Sequence, residues 1–158
     1  MPDLLPVVAS MRSFYTFRLG QRRYGIDVLQ VREVVPRLAI TPVPQAPAAV
    51  CGLFNLRSRI YLALDIKTLL DLAPTECTAE NRLVILKQAI SQDVGILVEA
   101  GNDIIHAPAG SIETAPAVAE GQSENASFPV TGVCKYQSEL FMVIDAARIT
   151  GMIGKLIR

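Results

Sequence analysis

Two aspartates, Asp65 and Asp145, each end an apolar run and precede a stretch of helical character. Two carboxylates that lie side by side can share one proton, which is the basis of hydrolysis by an aspartyl dyad. Neither residue, however, is followed by the Thr/Ser-Gly sequence of pepsin-like and retroviral proteases. An Asp that precedes a helix can instead accept hydrogen bonds from the free backbone N–H groups of the first turn. We therefore predict two helix N-caps, and a hydrolytic dyad is the alternative.

Few other residues could support catalysis or bind a metal. His106 is the single histidine, so a nucleophilic relay could form only around it, and we predict a surface or capping role for it. Cys51, Cys77 and Cys134 are widely spaced and form no CxxC pair, which does not match the spacing of zinc ligands. The sequence also contains neither a P-loop nor a GxGxxG motif. It predicts a protein that is not an enzyme and has no metal or cofactor.

The two aspartates belong to an internal repeat. Residues 52–65 match residues 132–145 at a constant offset, with Gly, Ser and Asp identical and an aromatic residue at the same place in the apolar run. A weaker repeat precedes it at a shorter offset, since residues 24–28 resemble residues 94–98 and residues 33–35 resemble 103–105. This self-similarity predicts a duplicated β unit that forms two similar subdomains.

Arg57 lies at the predicted corner between two strands of the first copy, in the run Asn55-Leu56-Arg57. The second copy has Lys135-Tyr136-Gln137 at this place, so the repeat itself does not require an arginine. A guanidinium group is planar and always charged, and it can bind a carboxylate or carbonyl through two hydrogen bonds. Arg57 is therefore either a binding residue or an ordinary solvated side chain.

The elements that would position these residues are mostly short strands, which favours barrels over a parallel sheet. Residues 28–35 form either a bent strand or a short helical turn, and three prolines in residues 41–47 predict an extended connection. Residues 107–127 lack periodicity and predict a long surface loop. The apolar residues near the end of the chain could form a helical stripe that either packs on its own barrel or contacts a partner, and they are Met152, Ile153, Leu156 and Ile157. The strands are predicted at 13–19, 24–28, 50–56, 59–64, 82–86, 94–99, 130–136 and 140–144, and short helices follow Asp65 and Asp145.

Composition restricts the function classes further. The chain has 158 residues, of which 51% are hydrophobic, and this is enough for one folded domain or two small barrels with a shared core. Its 15 basic and 15 acidic residues leave no net charge to attract nucleic acid. The odd number of cysteines is typical of a reducing compartment, and no apolar run is long enough to span a bilayer. We expect a cytoplasmic protein.

Six motifs in order resemble the CheW family of chemotaxis coupling proteins, from about Phe14 to Met152. They are Tyr24-Gly25-Ile26-Asp27, Val31-Arg32-Glu33-Val34, Thr41-Pro42-Val43-Pro44, Gly52-Leu53-Phe54-Asn55-Leu56-Arg57, the apolar run that ends in Asp65, and Val94-Gly95-Ile96-Leu97-Val98-Glu99. The resemblance implies a mainly β, duplicated fold of two five-stranded SH3-like barrels around a shared hydrophobic core, with short helices. We expect a flexible arm at 1–12, one CheW-like domain at 13–152 with the seam between its intertwined subdomains near 74–81, and a tail at 153–158.

The resemblance also implies a scaffold or adaptor rather than a catalyst. Such proteins couple the cytoplasmic tips of methyl-accepting chemoreceptors to the regulatory domain of the histidine kinase CheA, and they reach the membrane only indirectly, through receptor arrays. In such arrays, one barrel of each protein packs against the opposite barrel of the other. Receptors bind in the groove between the subdomains. The receptor-binding positions carried over by this resemblance are Arg57, Val31, Glu33, Gly52, Gly95 and Ile104.

Three departures from the family pattern concern the partner rather than the fold. Ser58 replaces the usual glycine after the Asn-Leu-Arg motif, Leu62-Ala63-Leu64-Asp65 lacks the usual proline, and Glu99 replaces the usual Asp. A serine restricts φ at the corner more than a glycine does. A coupling protein of a pilus-motility or other non-flagellar chemosensory system is therefore one alternative. A kinase-independent SH3-like module that binds peptides is another.

Overall fold

The structure is a computed structural model that describes residues 10–114 and 129–156, with side chains up to residue 153. The described residues are mainly β. The strands are β1 (Met11–Leu19), β2 (Arg22–Asp27), β3 (Val31–Pro36), β4 (Val50–Leu56), β5 (Arg59–Asp65), β6 (Arg82–Leu86), β7 (Val94–Val98), β8 (Ala100–Pro108), β9 (Ile112–Thr114), β10 (Val130–Tyr136) and β11 (Glu139–Ile144). Two short helices, α1 (Ile66–Leu69) and α2 (Ala146–Leu156), follow β5 and β11.

The strands form two sheets that the chain connects twice. The six-stranded sheet has the order β8-β1-β2-β11-β10-β9, and the five-stranded sheet has the order β3-β6-β7-β5-β4. Within the described residues, the chain passes from the first sheet to the second through a 3-10 turn, Val28–Gln30, and returns through the single residue Glu99. The strands on either side of residues 74–81 both belong to the five-stranded sheet, so the sheets exchange strands between the two repeat copies.

The strand register confirms both offsets of the repeat. Ala63 pairs with Gly95 between the parallel strands β5 and β7, and Val143 pairs with Gly25 between the parallel strands β11 and β2. Both hairpins, β4–β5 and β10–β11, also have a register shift just before the glycine that the two repeat copies share, Gly52 or Gly132. The same pairing in both halves explains why the sequence similarity survives at these positions.

Burial divides into three clusters that follow this arrangement. One cluster lies within the five-stranded sheet around the stacked rings of Phe54 and Tyr61, whose centroids are 5.4 Å apart. A second lies within the six-stranded sheet around Phe14 and Phe141, whose centroids are 5.3 Å apart. The largest cluster takes side chains from both sheets and from α2, and Met152 and Ile153 pack against it. The described part of the apolar tail therefore packs on its own barrel, as one of the two interpretations of the tail stripe predicts.

The structure differs from the sequence prediction at three places. β1 begins at Met11, inside the predicted arm, because Met11 and Arg12 pair with the end of β8. The loop prediction is wrong at its start, since β8 continues to Pro108 and the polar strand β9 adds to β10. β9 has only three residues, which are too few to show an alternating pattern in the sequence. Backbone pairing with β10 holds it in the sheet. Residues 115–127 of the predicted loop lie outside the described residues.

Candidate functional site

Asp65 and Asp145 are helix N-caps, as predicted. The Asp65 carboxylate accepts from the Lys67 N–H at 3.0 Å, and it also accepts from the N–H and hydroxyl of Thr75 at 2.8 and 2.7 Å. The Asp145 carboxylate accepts from the Ala147 N–H at 3.0 Å and from the Gln30 side-chain amide at 2.9 Å. Each carboxylate is occupied by its own donors, so the geometry favours capping over the shared-proton dyad.

Arg57 and Ser58 form a two-residue turn between β4 and β5. Both have left-handed backbones, with φ of 51° and 66°, as the favoured hairpin turns require. The Asn55 side chain supports the turn, because its Oδ1 accepts from the Ser58 N–H at 3.1 Å. Ser58 therefore occupies a conformation in which glycine carries no steric penalty. The turn fixes the direction in which the Arg57 side chain leaves the sheet.

The Arg57 guanidinium binds the Glu33 carboxylate with two hydrogen bonds. Nη1 donates to Oε2 at 2.6 Å and Nη2 donates to Oε1 at 2.8 Å, although 24 residues separate the two positions in the sequence. Arg57 is mostly exposed and Glu33 is partly covered, with exposed side-chain fractions of 65% and 22%. This two-point contact connects the β4–β5 turn to β3 and forms a charged corner.

The Arg57 hydrogen bonds hold the pKa of Glu33 below its usual range, with a smaller contribution from the charge of Arg32. The same contact raises the pKa of Arg57. Glu33 is thus ionised across the physiological range, and an incoming acidic group would meet an Arg57 that is already paired. A partner must therefore either dock on the intact pair or compete with Glu33 for Arg57.

The remaining carried-over positions fall into three environments. Val31 precedes Glu33 on β3, across a β-bulge, and is half-buried against the shared core. Gly52 and Gly95 are buried and leave no room for a side chain. A Cβ on Gly52 would lie 2.1 Å from the Thr41 carbonyl oxygen, and one on Gly95 would lie 2.7 Å from the Phe54 ring. Ile104 is on β8 in the other sheet, where 53% of it is exposed. The structure joins Arg57 and Glu33 directly, places Val31 beside them, and gives the two glycines packing positions.

Two apolar hairpin surfaces were not singled out by the sequence analysis. The first hairpin face consists of Leu53, Ile60 and Leu62 on β4–β5, and the second hairpin face consists of the equivalent Val133, Leu140 and Met142 on β10–β11. Each set alternates with residues buried inside its own barrel. Ile60 and Leu140 are 54% and 58% exposed, whereas Leu62 and Met142 are partly buried against the shared core. The signal was present in the repeat, which is apolar at all three outward positions in both copies.

The second hairpin face has more basic residues at its border than the first. A cavity of about 530 Å³ lies over it, lined by its three apolar residues together with Arg22, Arg23 and Lys135. At the positions equivalent to these three, the first hairpin face has Gln92, Asp93 and Asn55. The two faces therefore share an apolar centre and differ in charge.

Searches for other kinds of site give two findings. Among residues 10–114 and 129–156, no group of three or more His, Cys, Asp or Glu side chains is placed to hold a metal ion. None of the helices in that part of the chain is long and apolar enough to cross a membrane. His106 lies on the surface, where its Nδ1 is 2.6 Å from the Ser13 hydroxyl.

Comparisons with known proteins agree with the fold. A family model described as the CheW-like domain matches residues 13–153. Chemotaxis protein CheW of Bacillus subtilis (strain 168) is 30% identical over 130 residues, which are 82% of this chain and 81% of that protein. Chemotaxis protein CheW of Klebsiella aerogenes is 31% identical over 138 residues, which are 87% of this chain and 81% of that protein.

A solved structure is similar over nearly the whole length. The crystal structure of the scaffolding protein TtCheW from Thermoanaerobacter tengcongensis superposes with a TM-score of 0.73 at 27% identity, and the match covers 84% of this chain and 88% of that one. The range matched by the family model includes both Arg57 and Glu33. The chain belongs to the CheW-like family.

Proposed function

We propose that this chain is a chemosensory coupling protein that holds methyl-accepting chemoreceptors and the histidine kinase CheA together. The protein acts by position rather than by catalysis: it binds two partners at separate surfaces and constrains the orientation of the kinase relative to the receptor. It works in the cytoplasm and is recruited to receptor arrays at the membrane. Membership in the CheW-like family supports this role.

The observation that carries the proposal is the Arg57–Glu33 pair. Two residues from separate family motifs meet in a bidentate contact on the surface, where only part of the pair is covered. A surface ion pair of this kind contributes little to stability, so its two-point geometry is better explained by a binding role. We place the receptor tip at this corner, together with Val31 on β3 and Ile104 on β8. Gly52 and Gly95 act indirectly, because they leave room for the Thr41 backbone and the Phe54 ring.

The two hairpin faces are the candidate surfaces for the kinase. Exposed apolar residues at the same positions of both barrels suit docking of a similar barrel, since an apolar centre supplies most of the binding free energy at protein interfaces. The basic border of the second hairpin face favours a partner with acidic residues around its own apolar patch. The family arrangement, in which opposite barrels pack together, has one such face available on each side.

Equilibrium binding tests both surfaces. The purified chain is titrated with the regulatory domain of a CheA kinase from the same genome, and separately with a receptor-tip fragment. Arg57→Glu is expected to lose receptor binding and to retain kinase binding, because it places two carboxylates against each other at the corner. The double variant Glu33→Arg/Arg57→Glu restores the pair and distinguishes loss of the corner from loss of a direct contact.

Arg59→Glu is the matched control for the receptor titration. Arg59 is an exposed arginine two residues along the same hairpin, but it pairs with Asp93 at 2.7 Å rather than with Glu33. We expect receptor binding to survive this change. Failure of the unmodified chain to bind any resident CheA kinase would overturn the coupling role in favour of a peptide-binding barrel. Binding to a pilus-system kinase alone would assign the chain to that system, an alternative motivated by Ser58 at the corner.

A further inference from the structure

The two connections between the sheets each place a polar side chain at the junction. Gln30 ends the first connection: its Nε2 donates to the Asp145 carboxylate at 2.9 Å, and its Oε1 accepts from the Ala146 N–H at 3.0 Å. Its own carbonyl accepts from the Lys87 N–H at the end of β6 at 3.1 Å. Gln30 therefore joins the start of α2, beside the six-stranded sheet, to the five-stranded sheet.

Glu99 is the whole of the second connection and makes the corresponding contacts. One carboxylate oxygen accepts from the Gly20 N–H in the β1–β2 turn, and the other accepts from the Lys67 Nζ on α1 at 3.0 Å. The Glu99 carbonyl accepts from the Asn81 side chain at 3.0 Å. Glu99 thus ties a turn of the six-stranded sheet to the helix that follows β5 in the five-stranded sheet.

We propose that Gln30 and Glu99 act as two polar bridges that set the orientation of the two barrels, and that the Glu99 bridge is the one that can open. The shared core holds the two sheets together through close packing, and the hydrophobic effect that drives this packing is itself non-directional. Hydrogen bonds are directional, and these two bridges lie where the chain passes between the sheets. The structure therefore has the elements of a hinge, with short covalent connections and a releasable contact beside one of them.

The two bridges differ in chemistry. Gln30 is neutral and does not titrate, whereas Glu99 depends on its charge and on Lys67. The charged groups around Glu99 are Lys67 from α1, Arg18 from β1, and Glu76 and Glu80, which line the same surface cavity. Only 10% of the Lys67 side chain and 26% of the Glu99 side chain are exposed, so the pair is partly shielded from solvent. Loss of the Glu99 charge would break the ion pair with Lys67 and weaken the hydrogen bond from Gly20, while Gln30 continues to hold α2.

Amide hydrogen exchange measured by NMR tests the bridge without any binding partner. In Glu99→Ala, we expect the exchange rate of the Gly20 amide to rise at least tenfold, while amides in the centres of both sheets keep their protection. Glu99→Gln retains a possible acceptor for Gly20 but loses the ion pair, so we expect an intermediate rise. Gln30→Ala is the matched control, because it removes the other bridge and should affect the Ala146 amide instead.

Residual dipolar couplings then measure the angle between the sheets. One alignment tensor should describe both sheets in the unmodified chain, and the two sheets of Glu99→Ala should require different tensors. Unchanged Gly20 exchange would overturn the proposal, as would a single common tensor in Glu99→Ala. Faster exchange spread evenly through both sheets would also overturn it, since that result would mean a general loss of stability. Because no receptor or kinase is present, these outcomes are independent of the coupling role.

Discussion

Arg23 and Asp93 occupy equivalent positions in the two halves of the chain but have opposite charges. Each is followed by the residue that starts the parallel pairing, Tyr24 or Val94. Arg23 pairs with Glu139 on β11, and Asp93 pairs with Arg59 on β5, so the same cross-strand ion pair is present in both barrels with its polarity reversed. Duplication preserved the pair while the charges exchanged sides.

This reversal predicts how the Arg59–Asp93 pair responds to charge changes. Arg59→Glu places two carboxylates together, and we expect a loss of about 0.5–1 kcal/mol in the free energy of unfolding, because both side chains are partly exposed. The exchanged variant Arg59→Glu/Asp93→Arg copies the polarity of the other barrel and should recover part of that loss, since Asp93 also has a left-handed backbone and accepts from Gln88 Nε2 at 3.1 Å. Urea denaturation measures both values. Equal stability of the single and double variants would contradict the prediction.

The buried glycines predict a second pair of matched changes. A Cβ on Gly95 would lie 2.7 Å from the Phe54 ring, and one on Gly25 would lie 2.7 Å from the Phe141 ring. Both rings are packed inside their barrels and have little room to move. We expect Gly95→Ala and Gly25→Ala each to cost about 1–3 kcal/mol in thermal or urea unfolding. Gly110→Ala is the control, because nothing lies within 4 Å of its added Cβ.

The positive φ of 66° at Ser58 predicts a stabilising substitution. Ser58→Gly removes the contact between Cβ and the backbone that disfavours this conformation, and we expect a gain of about 1 kcal/mol in the free energy of unfolding, reduced by the greater freedom of glycine in the unfolded chain. Gly20→Ala tests the same effect in reverse, since Gly20 has φ of 64° and open space around it. A loss of stability in Ser58→Gly would show that the serine hydroxyl has a role at the corner.

Much of this fold follows from the sequence, because the repeat preserves the residues that determine strand register. The pairings of Gly25 with Val143 and of Gly95 with Ala63 reproduce both offsets. The exchange of strands between copies could not be predicted in the same way, since parallel pairing of β2 with β11 depends on contacts between distant residues. The partner of Arg57 was also missed. Glu33 lies on another strand, and only the fold brings its carboxylate to the turn.

The hairpin faces predict a difference between the two barrels in kinase binding. Leu140→Glu and Ile60→Glu each place a carboxylate at the centre of an apolar face. Both variants should remain folded, because the two replaced side chains are exposed. If the kinase docks on the second hairpin face, Leu140→Glu should weaken binding by about tenfold or more. Calorimetric titration with the CheA regulatory domain measures this. Retained affinity in both variants would place the kinase elsewhere on the chain.

The carboxylate of Glu99 predicts how the polar bridge depends on pH. Burial raises the pKa of Glu99, but the hydrogen bonds from the Gly20 N–H and the Lys67 ammonium, together with the Lys67 charge, lower it by more. The pKa of Glu99 in the folded chain therefore lies below its usual value. The bridge therefore contributes its full stability above the pKa of an unfolded glutamate, about 4.3, and loses it as the pH falls through the lower folded-state value. We expect the unmodified chain to lose more stability than Glu99→Gln between pH 6 and about pH 3. Parallel pH profiles of the two would remove Glu99 as the titrating group.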